Sequence, residues 1–225
     1  MNTEIESHVL KTGTLTIGIV CRDGIVLGAD RRVSYGGNGG VSYLADKLKK
    51  IIEINERMLV TMAGGASDAK KIINLIRAEF RLKELRSRSR VSVEEAANFL
   101  ANVVYHAIRT PSMIPSITHF LLAGFDEEGC NLYEVGPDGH IKKSSKYSTS
   151  GAGMMQADPI LDSEYSENIT LSQGIELVQK CIRASSGRDP SVGAGMDIYT
   201  ITKDKITQVI EQEAKLRFDN QNSKT

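Results

Sequence analysis

The chain has no tryptophan, and only five phenylalanines, five prolines and three cysteines among 225 residues. So few prolines leave long uninterrupted segments free to form helices and strands, and they exclude a proline-rich linker protein. Cys21, Cys130 and Cys181 are an odd set without a CxxC pair, which speaks against a disulfide scaffold or a zinc site. His8, His106, His119 and His140 are dispersed without ligand spacing, so no metal site is indicated. Charge of one sign is also missing. Lys+Arg and Asp+Glu both number 28, so no net field recruits nucleic acid or an anionic membrane. No apolar run approaches the length of a membrane span, and residues 1–13 contain no continuous apolar signal region. The expectation is one well-buried domain of a soluble, cytoplasmic protein with reduced thiols and no cofactor.

What is present is a succession of short β-branched runs and amphipathic helices. Thr14–Val20 and Ile25–Asp30 flank Arg22-Asp23-Gly24, a hairpin signal. Lys50–Ile54 and Met58–Ala63 flank Asn55-Glu56 in the same way, and Gly36–Gly40 reads as a loop tip. Ser67-Asp68 can cap a helix to about Leu85, with a basic continuation from Lys83 to Arg90 that reads as a solvated helix end or a contact between subunits of a ring rather than a nucleic-acid patch. Ser92–Glu95 and Thr170–Gln173 are capping boxes, opening helices to about Ile108 and through Ile182. His119–Phe125 and Asn131–Val135 form a further strand pair, and a short helix follows Gly151-Ala152-Gly153 to about Leu161. Met196–Ile201 and Ile206–Ile210 close the pattern, and the polar tail from Glu211 is expected to fray. This order predicts an α+β fold, a four-layer α/β/β/α sandwich of two antiparallel sheets between helix layers.

Chemistry concentrates at Gly13-Thr14. A threonine has no base of its own inside a chain. Cutting the Gly13–Thr14 bond would free an α-amino group with a pKa near 7.7–8.0, which can take the proton of the Thr14 hydroxyl. Threonine with its own N-terminus is a known variant of the nucleophile–base pair. Residues 1–13 then read as a propeptide, residues 14–210 as one catalytic domain and residues 211–225 as a polar tail. Read in isolation, Thr14 would be an ordinary strand residue; the glycine before it, which leaves the scissile carbonyl open, favours the nucleophile.

The run Thr14-Leu15-Thr16-Ile17-Gly18-Ile19-Val20 resembles the start of mature proteasome β-type subunits of the N-terminal nucleophile hydrolase superfamily. The resemblance continues through Gly24–Arg32, Lys49-Lys50-Ile51, Thr61–Gly64, Ser92–Leu100, Ser150-Gly151, Arg188-Asp189 and Met196-Asp197, and is strongest to the archaeal kind. It implies a threonine endopeptidase that degrades unfolded cytosolic proteins after removing residues 1–13 from itself. It also implies stacked seven-membered rings shared with α-type and other β-type subunits, and a regulatory unfoldase ATPase. By the same resemblance Thr14 is the nucleophile, Lys50 the catalytic lysine and Asp30 the carboxylate that positions it. Gly64 supplies the oxyanion N–H, and Asp189 belongs to the proton network. Val33, Ser34, Met62 and Ala66, with Leu48 and Lys70, map to the substrate pocket.

Two positions depart from the family pattern. Ala152 and Val192 stand where the family carries serines around the terminal amine, which predicts weak activity for this chain alone. They support an alternative, an unprocessed and catalytically silent structural β-type subunit. A related two-ring bacterial peptidase fits Arg188-Asp189 and the long Ser67–Leu85 helix less well. A non-enzymatic binding module leaves Gly13-Thr14, Asp30 and Lys50 unexplained.

Overall fold

The structure is a computed structural model that describes residues 10–35, 43–45 and 48–214. The expected Gly36–Gly40 loop tip, and the tail beyond Ala214, lie outside the described residues.

Two antiparallel sheets form the centre. The smaller is built from β2 (Thr16–Cys21), β3 (Gly24–Asp30), β12 (Tyr147–Ser150), β13 (Gly195–Ile201) and β14 (Ile206–Glu213), in the order β12-β2-β3-β13-β14. The larger contains β1 (Leu10–Thr12), β4 (Val33–Tyr35), β5 (Tyr43–Ala45), β6 (Ile51–Asn55), β7 (Met58–Thr61), β8 (Ala63–Gly65), β9 (Thr118–Asp126), β10 (Gly129–Val135) and β11 (Ile141–Lys143). Its main order is β11-β10-β9-β8-β1-β4-β5, with β7 also on β9 and β6 on β7.

Three apolar layers separate four structural ones. Leu27, Ala29, Leu59, Leu121 and Ile201 fill the space between the sheets. Helices α1 (Ala66–Ser87) and α2 (Val93–Arg109) cover the larger sheet, where Ile73, Ile76, Phe80, Leu100 and Val104 meet Met58, Val60 and Phe120. Helices α3 (Met154–Glu164) and α4 (Leu171–Ser186) cover the smaller sheet, where Val178 and Ile182 meet Ile17, Ile19 and Ile198. The alternation along β7 shows why both faces of that run had to be apolar: Met58 and Val60 face helices while Leu59 faces the other sheet. The expected α/β/β/α sandwich is therefore the fold.

Both capping boxes form. Ser92 Oγ accepts from Glu95 N at 3.1 Å, and Thr170 Oγ1 accepts from Gln173 N at 3.3 Å. The Ser67-Asp68 cap does not. Helix α1 begins at Ala66 directly out of β8, with Gly65 as its N-cap and no side-chain hydrogen bond there. The sheet pairing of β8 fixes the chain direction, so the helix needs no side-chain signal to start. The fraying expected from Glu211 is also corrected. Strand β14 runs on to Glu213 because Arg31 and Lys49 hold Glu211, and Arg31 also pairs with Glu213 at 3.4 Å. Among the described residues, no helix is long and apolar enough to cross a membrane.

Candidate active site

Hairpin β2–β3 brings the start of one strand beside the end of the other. Thr14 lies just before β2 and Asp30 closes β3. Their neighbours are stitched together, since Asp30 N donates to Leu15 O (3.2 Å) and Leu15 N to Asp30 Oδ1 (3.0 Å). Lys50 arrives from the larger sheet, immediately before β6, with its carbonyl accepting from Met62 N at 2.9 Å. Thr14, Asp30 and Lys50 are all 0% exposed. The sequence-predicted trio is thus brought together between the two sheets.

Lys50 Nζ donates to Asp30 Oδ1 at 2.7 Å and to the carbonyl oxygen of Gly13 at 3.1 Å. That carbonyl is the one a Thr14 nucleophile would attack. Burial lowers the Lys50 pKa from its ordinary value, the nearby Asp30 opposes this, and Arg32 adds slightly to the lowering. Asp30 accepts from at least four donors among the described residues. Oδ1 takes Lys50 and Leu15 N, and Oδ2 takes Arg32 N at 3.0 Å and Gly193 N at 2.9 Å. A carboxylate so surrounded is fixed in orientation, and it fixes Lys50 in turn.

The other end of Thr14 is held by the 151–153 loop, where Gly153 N donates to Thr14 O at 3.1 Å. Below it runs a buried chain of hydroxyls, from Thr61 Oγ1 to Thr16 Oγ1 at 3.1 Å and on to Ser150 Oγ at 2.8 Å. Gly64 sits in β8 with φ of +94°, and a Cβ there would lie 2.3 Å from Ile117 O. Only glycine fits.

Strand β1 is the feature sequence reasoning missed. Residues 10–12 are inserted antiparallel between β4 and β8, with Lys11 opposite Ser34 on one side and Gly65 on the other, and Thr12 opposite Gly64. Among the described residues, β4 and β8 do not pair with each other, and β1 lies between them. Three polar-leaning residues carry no strand pattern of their own, so only the partners reveal it.

The remaining predicted residues separate. Val33 is buried in β4, Ala66 is the buried first residue of α1, and Ser34 takes part in the β1–β4 ladder. Met62, 2% exposed, packs into the core under α1 and α2, and the half-buried Leu48 leans on that same core. Lys70 is on the exposed face of α1. Asp189, just past α4, accepts from Ser191 N at 2.8 Å and Ser191 Oγ at 2.5 Å. Val192 is fully buried in the core under α3 and α4, and Ala152 is exposed. The cysteines are poor nucleophiles: burial pushes the Cys21 and Cys181 thiols up to about 12. Among the described residues, no group of three or more His, Cys, Asp or Glu could hold a metal.

A sequence model of the family described as Proteasome subunit matches residues 10–201. The chain is 33% identical over 209 residues to "Proteasome subunit beta" of Methanopyrus kandleri, covering 92% of this chain and 96% of that one. It is 37% identical over 203 residues to "Proteasome subunit beta 2" of Pyrococcus abyssi, covering 90% and 93%. To "Proteasome subunit beta" of Methanobrevibacter smithii it is 34% identical over 193 residues, covering 85% and 88%.

Proposed function

Because the chain belongs to the proteasome subunit family, as a protease subunit of the β type that assembles into a core particle with other proteasome subunits, we propose that it is a threonine-type endopeptidase activated by its own cut at Gly13–Thr14. The observation that carries this reading is the seat of that bond. Strand β1 delivers it to a buried site where Lys50 Nζ lies 3.1 Å from the Gly13 carbonyl oxygen.

In the first step the Thr14 hydroxyl attacks the Gly13 carbonyl carbon, and its proton passes to the Thr14 nitrogen, which leaves as the amine. The Lys50 ammonium, itself buried, stabilises the charge that develops on the oxygen. The C–N bond then breaks, which frees the Thr14 amine and leaves Gly13 as an ester on Thr14; water hydrolyses the ester and releases residues 1–13. In later turnovers the freed amine takes the hydroxyl proton and gives it to the leaving amine of the substrate, and water again clears the acyl-enzyme. Asp30 keeps Lys50 in place, Gly64 N–H serves the oxyanion, and Asp189 belongs to the proton network.

Removing β1 opens a slot one strand wide between β4 and β8. An extended peptide can add there by main-chain pairing, which a folded segment cannot do. This favours unfolded proteins as substrates, with Val33, Ser34 and Ala66 flanking the slot. On the same reading the partners are α-type and other β-type subunits in stacked seven-membered rings, with an unfoldase ATPase feeding them in the cytoplasm. The silent-subunit alternative is not favoured, because a chain without catalysis gains nothing from burying a lysine on a main-chain carbonyl.

The test uses assembled particles and a peptide-like electrophile that acylates hydroxyls. Thr14→Ala should lower peptide hydrolysis by at least about 10³-fold and abolish the adduct, which in the parent maps to Thr14. An adduct on another residue, or an active Thr14→Ala particle, would overturn the reading.

A further inference from the structure

Ala152 and Val192 offer no hydroxyl to the amine of Thr14. The structure points to a hydroxyl from a neighbouring position. Ser191 stands directly against Gly13: a Cβ built on Gly13 would lie 1.9 Å from Ser191 Cβ and 2.2 Å from Ser191 Oγ. The scissile nitrogen is two covalent bonds from that Gly13 Cα. So Lys50 approaches Gly13 at its carbonyl oxygen, and the Ser191 side chain fills the space where a Gly13 side chain would be.

The loop that carries Ser191 is held in register with the catalytic groups. Pro190 O accepts from Arg32 Nη1 at 2.8 Å, Val192 N donates to Asp189 O at 3.1 Å, and Gly193 N donates to the same Asp30 carboxylate that anchors Lys50. Ser191 Oγ gives its proton to Asp189 Oδ1 at 2.5 Å. A hydroxyl whose proton is committed to a carboxylate presents only lone pairs to its other neighbours, which suits an N–H donor.

We propose that Ser191 is the positioning residue for the terminal amine in this chain, replacing the hydroxyls absent at Ala152 and Val192. The freed Thr14 amine donates an N–H to Ser191 Oγ, which aims its lone pair at the Thr14 hydroxyl. When the amine takes that proton, the ammonium is stabilised by Ser191 and, through it, by Asp189. The proposal rests on the reading of the Thr14 amine as base. It also gives Gly13 a second reason: any side chain there would displace Ser191.

The experiment compares assembled, self-cut particles of the parent, Ser191→Ala and the double variant Ser191→Ala with Val192→Ser, with kcat, KM and pH–rate profiles. Removing the hydroxyl should lower kcat by roughly 10–100-fold, part of what a well-placed general base supplies, and leave KM within about twofold. The acid limb of kcat/KM should move to lower pH, because losing an acceptor backed by Asp189 destabilises the ammonium and lowers the pKa of the amine. A purely structural role would change thermal stability and leave that limb in place. The double variant should regain part of the lost kcat. If Ser191→Ala does not assemble or stays uncut, Ser191→Thr, which keeps the hydroxyl, should show the parental acid limb; a displaced limb there would overturn the proposal. Parental kcat and an unmoved limb in Ser191→Ala would overturn it too. A Thr14→Ala particle that still cuts peptide would sink the Thr14 reading instead, so the two failures are told apart.

Discussion

Asp30 and Arg31 are neighbours in sequence, and each holds a buried ion pair with opposite consequences. Asp30–Lys50 is 0% exposed on both sides, and Arg31–Asp197 is 4% and 1% exposed. Arg31 is saturated. It forks onto both oxygens of Asp197 and reaches Glu211 and Glu213, and the hydrogen bond to Asp197 raises its pKa despite burial. Lys50 has one carboxylate partner and spends another N–H on a peptide carbonyl, and burial lowers its pKa. A planar guanidinium matched by several carboxylates ties strands together, here β13 and β14 to the end of β3. A compact ammonium with a single carboxylate keeps a donor free for chemistry. The burial is alike; what differs is whether the cation's donors are used up.

That contrast can be broken from both sides. Lys50→Ala should lower peptide hydrolysis by about 10²–10³-fold or more and leave Gly13–Thr14 uncut. Its rings should still assemble, because Asp30 keeps three backbone N–H donors when the lysine goes. Near-normal activity would remove Lys50 from the mechanism. Asp30→Asn should be nearly as severe and should also destabilise, since an amide NH2 must face donors that the carboxylate accepted. Differential scanning calorimetry beside the activity assay separates the two effects.

Arg31→Ala should do the reverse. It leaves Asp197 buried without its main partner, at a cost of about 3–5 kcal/mol, lowering Tm on the order of 10 °C. Activity per assembled particle should stay close to the parent. An unchanged Tm would mean that Gln208, which donates to Asp197 Oδ1 at 3.2 Å, suffices. Smallest of all should be Lys83→Ala. Its pair with Glu95 is 46% and 51% exposed, so its loss should change stability by less than about 0.5 kcal/mol in chemical denaturation. On the Ser191 proposal, adding serines at 152 and 192 to the parent should likewise raise kcat by less than about threefold, because the amine is already positioned.

Much of this was legible in the residues because local rules and the fold agree. The boxes at Ser92 and Thr170 name their own helix starts, and the apolar periodicity of α2 and α4 names their buried faces. The Asp30–Lys50 pair was legible through resemblance, since nothing within either local segment tells a buried lysine from a solvated one. What stayed hidden depends on partners distant in sequence. Strand β1 exists through β4 and β8, the end of β14 through Arg31, and the burial of Met62 through α1 and α2. Ser191 is hidden because the family pattern places its serine at the next position, 192. The Asp189-x-Ser191 spacing, a common side-chain turn, was the available signal, yet only its contact with Gly13 separates it from an ordinary loop.

Self-cleavage at Gly13–Thr14 is the central step, and intact mass spectrometry of assembled particles reads that bond directly. The parent chain should have lost residues 1–13 and begin at Thr14, while Lys50→Ala particles made in parallel should retain them. Parent chains that keep residues 1–13, or Lys50→Ala chains cut as fully as the parent, would contradict it.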